Sequence, residues 1–125
     1  MFENVKELIN LTPHEVNIWM KGDKTTFRVV DLPPSGNVAR LHMVSKNCGK
    51  VLGIPVVSSV GRKIVGLPAP KSGVIYIVSS VIAREVKRPD VLAPDTTDDG
   101  VIRDGAGNIM AVSRFQLFCE DTEVL

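Results

Sequence analysis

The sequence predicts an α+β domain that is mostly β, a compact curled sheet or partial barrel of about seven to nine short strands with one short helix. Three observations predict it. Several short segments alternate apolar with polar residues and are separated by Gly, Pro, Asn and Asp, the pattern of half-buried strands and turns. Residues 74–78 (VIYIV) form a continuous apolar run rich in β-branched side chains, as in a strand buried on both faces. Residues 81–87 then read as a short helix, stopped by Pro89, whose ring pushes Arg88 away from helical dihedrals.

With 125 residues, 44% hydrophobic and 23% charged, the chain is expected to be a single domain (1–125) with a real core, loosely ordered at 1–9 and 120–125. Fifteen basic and fourteen acidic residues leave a net charge of +1. That balance speaks against a nucleic-acid polymer or a membrane surface as partner, since both call for a basic excess or stripe. No apolar run approaches a membrane span, and residues 1–10 lack the basic start and apolar core of a signal peptide. A cytoplasmic setting with reduced thiols is therefore expected. Cys119 reads as a small core residue, although a Cys48–Cys119 disulfide stays open.

In chain order, residues 1–9 fit an amphipathic turn or two of helix, a tail or an edge strand. Residues 10–14 (NLTPH) make a turn. Residues 16–20 and 25–30 are the two arms of a hairpin that turns at 21–23. Residues 31–37 (DLPPSGN) punctuate, and 38–45 alternate as a half-buried strand with Ala39, Leu41 and Met43 on one face. Residues 46–50 (KNCGK) read as a turn. Two short strands follow, with a bulge or edge at Gly53 and Pro55 and a turn at Gly61. Residues 67–73 lead into the central strand. Residues 88–100 (RPDVLAPDTTDDG) read as an irregular loop, a length that is usually functional or mobile. A glycine-tipped hairpin from VIRD to IMAVSRFQLF closes the chain.

Several motifs of known chemistry come close and fail. GAGNIM at 105–110 has Met110 where a dinucleotide fingerprint needs its third glycine, and it lies in a hairpin. Gly61-Arg62-Lys63 hints at a P-loop, but Val56 holds the place of the leading glycine. In a calcium loop starting at Asp95, Thr97 and Ala106 stand where oxygen ligands belong. No serine sits in a G-x-S-x-G elbow, and His14, His42, Cys48 and Cys119 lack zinc spacing. Neither catalytic residues nor a metal or cofactor are expected.

Anion binding is better supported. Ser79 and Ser80 lie where a strand meets a helix, so backbone N–H groups and hydroxyls can converge there. Arg84 and Arg88, four apart, share a helical face, and an arginine fork suits phosphate. The plainer reading is that Ser80 caps the helix and Glu85 pairs with Arg88. His14 beside Pro13 either accepts from a base or ties down its own turn. Trp19 is a candidate for stacking on a ligand ring.

NLTPH at 10–14, PSG followed by AR at 34–40, GLPAP at 66–70, YIVSS at 76–80 and RPDVLAPD at 88–95 resemble a family of small proteins of bacteriophage and actinobacterial genomes. In size and kind the chain is also similar to phage sponges of the anti-Thoeris and anti-CBASS type, which hold cyclic ADP-ribose-type or cyclic oligonucleotide immune signals. The resemblance implies a non-enzymatic anti-defence protein that sequesters a small phosphorylated nucleotide in the infected host cell, as a homo-oligomer. Ser79, Ser80 and Arg84 would floor the pocket, and Arg88, Asp90 and Asp95 would close over it. Thr12, His14, Arg40 and Arg103 are further candidates. The alternatives are a hydrolase of such a nucleotide, using His14 and an aspartate, and a minor virion or interaction component.

Overall fold

A computed structural model describes residues 2–21 and 26–119. Ten strands and one helix follow in order: β1 (Glu7–Asn10), β2 (Val16–Lys21), β3 (Thr26–Leu32), β4 (Arg40–Val51), β5 (Ile54–Val65), β6 (Val74–Ile77), α1 (Ser80–Val86), β7 (Val91–Pro94), β8 (Val101–Arg103), β9 (Ile109–Val112) and β10 (Phe115–Leu117). The fold is α+β and mostly β. Its strands form three sheets without a closed barrel among the described residues: β1-β6-β7-β10, β3-β2-β9-β8, and the pair β4-β5.

Strand β6 is the hinge of this arrangement. All four of its residues and Val78 after it are buried, and their alternation supplies two cores. Val74, Tyr76 and Val78 join Leu11, Ala39, Val91, Ala93 and the helical Ile82 and Ala83 on one side. Ile75 and Ile77 meet Leu92 and, from the second sheet, Val16, Ile18 and Val112 on the other. The apolar run at 74–78 is thus a strand between two cores, as its lack of polar alternation predicts.

The N-terminal segment resolves as an edge strand: β1 runs parallel to β6, with Glu7 opposite Val74 and Asn10 opposite Ile77. The first hairpin pairs Val16 with Leu32 and Lys21 with Thr26; its expected turn at 21–23 falls largely outside the described residues, as does the tail 120–125. Helix α1 begins at Ser80 and ends at Val86, with Lys87 left-handed at φ 50° as its C-cap.

Three elements differ from expectation. The loop at 88–100 contains β7, which pairs parallel with β6 and antiparallel with β10. Its flanking prolines and aspartates resemble loop composition, but Val91, Leu92 and Ala93 are fully engaged in the two cores. The terminal hairpin divides: β8 pairs with β9, whereas β10 crosses to the other sheet after Ser113 and Arg114. Finally, residues 40–65 are a single long hairpin arm. KNCGK is strand rather than turn, Gly61 lies within β5, and the reversal falls at Leu52-Gly53, φ 50° and 80°. Two central residues with positive φ make the type I′ geometry that matches strand twist. Where the arm rejoins the body, Gly66 has φ 85° and a Cβ there would sit 2.6 Å from the Val38 carbonyl oxygen. Only glycine fits that approach.

Because Ile77 is fully buried between both sheets, Ile77→Ala is expected to cost about 2–5 kcal/mol. Urea denaturation followed by circular dichroism checks this, and an exposed control off the long hairpin arm such as Val29→Ala is expected to change stability little.

Candidate ligand-binding groove

Most of the charged and polar residues singled out by sequence are engaged in holding turns. In the NLTPH turn the organising residue is Asn10, 2% exposed. Its Oδ1 accepts from the Thr12 N–H (2.9 Å) and hydroxyl (2.7 Å), and its Nδ2 donates to the carbonyls of His14 (2.8 Å) and Leu32 (2.9 Å). One buried amide thus ties the end of β1 to the end of β3. Thr12 serves this turn, and His14 contributes its carbonyl while its imidazole is exposed. The asparagine side chain is short enough to reach its own backbone two residues on, the local signal that marks it in sequence.

Arg88 and Asp90 close on each other. Arg88 Nε donates to Asp90 Oδ1 (2.9 Å), Nη2 to Oδ2 (2.6 Å), and Nη1 to the Pro68 carbonyl (3.0 Å). This two-pronged pair is largely shielded from solvent, and Asp90 also borders a cavity of about 290 Å³ near Phe2, Lys71 and Gly73. The expected Arg84–Arg88 fork does not form, because the helix stops at Val86 and left-handed Lys87 redirects the chain. Glu85 pairs with Arg62 (3.2 Å), not with Arg88.

Asp95 is 1% exposed and likewise internal. Its Oδ1 accepts from the Thr97 N–H (2.9 Å) and hydroxyl (2.6 Å), and its Oδ2 accepts from Arg114 Nε (2.5 Å). The Thr97 hydroxyl first, and then Arg114, hold its carboxyl below the usual carboxylate range. Gly100 closes over this carboxylate so tightly that a Cβ there would overlap the Asp95 side chain and carbonyl. Asp95 therefore cannot swing out to a ribose. Arg103 donates to the Gly107 carbonyl (2.8 Å) within the β8–β9 tip, where Asp104 accepts from the N–H groups of Ala106 and Asn108. Arg40 is exposed at the start of β4, opposite Val65.

Ser79 is the extended N-cap of α1, exposed and without a side-chain capping bond, and Ser80 is the first helical residue. Trp19 is half-buried, with its indole Nε1 shielded and without a hydrogen-bond partner among the described residues. Cys48 and Cys119 form no disulfide. Among the described residues no group of three His, Cys, Asp or Glu side chains is arranged to hold a metal ion.

Arg84 lines a groove together with a second arginine and apolar side chains. The groove, about 310 Å³, lies between α1 and the base of the arm and is bounded by Leu41, Met43, Arg62, Val81, Arg84 and Glu85. Arg84 lies over the Phe118 ring, 5.2 Å from its centre, and no carboxylate pairs with it among the described residues. Stacking on an aromatic face leaves the N–H edges of a guanidinium available. Arg62, Leu41, Met43 and Val81 had no assigned role in the sequence. Their only signals were the shared strand face of Leu41 and Met43 and the helical spacing of Val81, Arg84 and Glu85.

Comparison of the chain with protein-family models, curated proteins and solved structures finds no match. The fold and groove thus define only a class, a mostly-β α+β domain with an arginine-flanked apolar groove. No helix is long and apolar enough to cross a membrane among the described residues.

Asp95 yields a pH prediction. Its carboxyl is lowered in the folded state, so its contribution is present above the unfolded value of about 3.9 and is lost as pH falls through the lower folded value. Wild-type urea midpoints are expected to fall on acidification below about pH 4, and Asp95→Asn to be less stable at neutral pH with a smaller acid-dependent loss.

Proposed function

We propose that this chain is a non-enzymatic binding protein that sequesters a small phosphorylated nucleotide, with the groove between α1 and the arm base as its capture site. The carrying observation is Arg84, stacked on Phe118 and set beside Arg62 over the apolar surface of Leu41, Met43 and Val81. Guanidinium N–H edges suit phosphate oxygens, and an apolar floor suits the face of a base. Glu85, already held by Arg62, supplies an acceptor for a ribose hydroxyl. The groove's titratable groups are two arginines and this one ion-paired carboxylate, a set suited to holding an anion rather than to proton transfer.

The phage resemblance carried by NLTPH, GLPAP and YIVSS gives the biological reading: an anti-defence sponge for an immune signal of the cyclic ADP-ribose type. The proposed site differs from the sequence-based one. Arg88, Asp90 and Asp95 shape the scaffold, and Arg84 and Arg62 meet the ligand.

Calorimetric titration with a cyclic ADP-ribose-type nucleotide tests this. Arg84→Ala is expected to weaken binding by at least about tenfold, the usual worth of a charge-assisted hydrogen bond. Arg84→Lys is expected to recover part of it, with thermal melts showing both variants folded. Bound nucleotide is expected to return intact on denaturation. No binding by wild type, equal binding by Arg84→Ala, or release of cleaved products would each overturn the reading.

A further inference from the structure

The arm formed by β4 and β5 stands away from both cores beyond its first residue pairs. Leu41 and Ile64 pack against the body, yet of the fifteen large apolar side chains exposed among the described residues, nine lie on the arm. They run from Met43 and Val44 near the base to Val51, Leu52 and Ile54 at the tip. An isolated two-stranded ribbon is marginal in water, and apolar surface of this extent marks an interaction site. Both strands also keep an edge unpaired among the described residues, because the pair forms a sheet of its own.

The tip carries an independent signal. Leu52 occupies the first position of the I′ turn with φ 50° and is 96% exposed. Asparagine, aspartate or glycine suits that position, whereas left-handed backbone costs leucine about 1–2 kcal/mol. A large apolar side chain held in a disfavoured conformation and fully in water is unfavourable for the isolated chain. An apolar cavity on a partner would reverse that balance.

Charge identifies the partner. Residues 40–65 hold Arg40, Lys46, Lys50, Arg62 and Lys63 and no Asp or Glu, so the arm carries +5; with +1 overall, the rest of the chain carries −4. The arm is therefore complementary to the body of its own chain. That body has an apolar groove of about 250 Å³ lined by Phe2, Val5, Leu8, Ile75, Leu92 and Phe115, an open end of the core between the two main sheets. Twelve residues per strand make the arm roughly 40 Å long and about 10 Å wide, so its two faces offer about 800 Å², the share one partner brings to a standard stable interface.

We infer that the β4–β5 arm embraces a second copy of this chain, with Leu52 seated in the partner's Phe2–Phe115 groove and Lys46 and Lys50 facing the partner's acidic body. Nucleic acid fits less well, since its phosphates would repel the acidic body and offer nothing apolar to Leu52. The embrace does not rest on the nucleotide reading, because Leu52 is at the opposite end of the arm from Arg62 and the proposed capture site.

Sedimentation equilibrium of the full chain over micromolar concentrations tests it. Wild type is expected at a multiple of 13.6 kDa. Leu52→Asn keeps a residue suited to the turn, and is expected to remain folded by circular dichroism yet associate at least about tenfold more weakly, as for loss of a buried anchor. Paired Lys46→Glu and Lys50→Glu substitutions are expected to weaken association at low salt, and Arg84→Ala to leave it unchanged. A wild type that stays at the monomer mass, or Leu52→Asn assembling as tightly as wild type, overturns the inference. So does a monomer whose arm instead binds duplex DNA or anionic vesicles.

Discussion

The double-sided burial of β6 is the constraint on which the rest depends. A strand whose successive side chains enter two different cores cannot slip by one residue without exchanging the contents of both. Val74, Tyr76 and Val78 require a layer on one side, supplied by α1, Ala39 and the base of the arm. Ile75 and Ile77 require another, supplied by the β3-β2-β9-β8 sheet. Parallel neighbours on both edges then follow: β1 on one, and β7 on the other after the helical crossover.

Around this strand, polar side chains secure the turns that route the chain between layers. Asn10 joins β1 to β3, the Arg88–Asp90 pair fastens the exit of α1 to Pro68, and Asp95 links the end of β7 to Arg114. Each places a charged or amide group in a shielded position where an unpaired group would be costly, so each is saturated by its neighbours. This explains why residue types that suggest a ligand site are spent on the scaffold. Arg84 differs because its neighbour is a ring: Phe118 positions it without using its hydrogen-bonding capacity.

The body and arm follow opposite rules. The body encloses most of its large apolar residues, and the arm displays most of its own with only cationic charge between. Such a division suits a chain whose folding is completed by association, with burial of the arm replacing the core it lacks. Met43 and Arg62 belong to both the arm and the groove.

Strand β6, helix α1 and the pairing of β2 with β3 were legible because period, β-branching and proline punctuation act within a few residues. The arm was not: KNCGK and Gly61 carry turn chemistry, and only cross-strand pairing over 26 residues, absorbing bulges near Ser45 and Asn47, overrides it. Strand β7 was hidden similarly, since its prolines and aspartates describe its ends while its pairing with β6 and β10 defines its middle. By itself the sequence determined the class of fold, the central strand and the residue types able to meet an anion. Only the tertiary structure decided how those residues are engaged, because Arg88 and Asp95 take partners up to 20 positions away, beyond the reach of any local pattern.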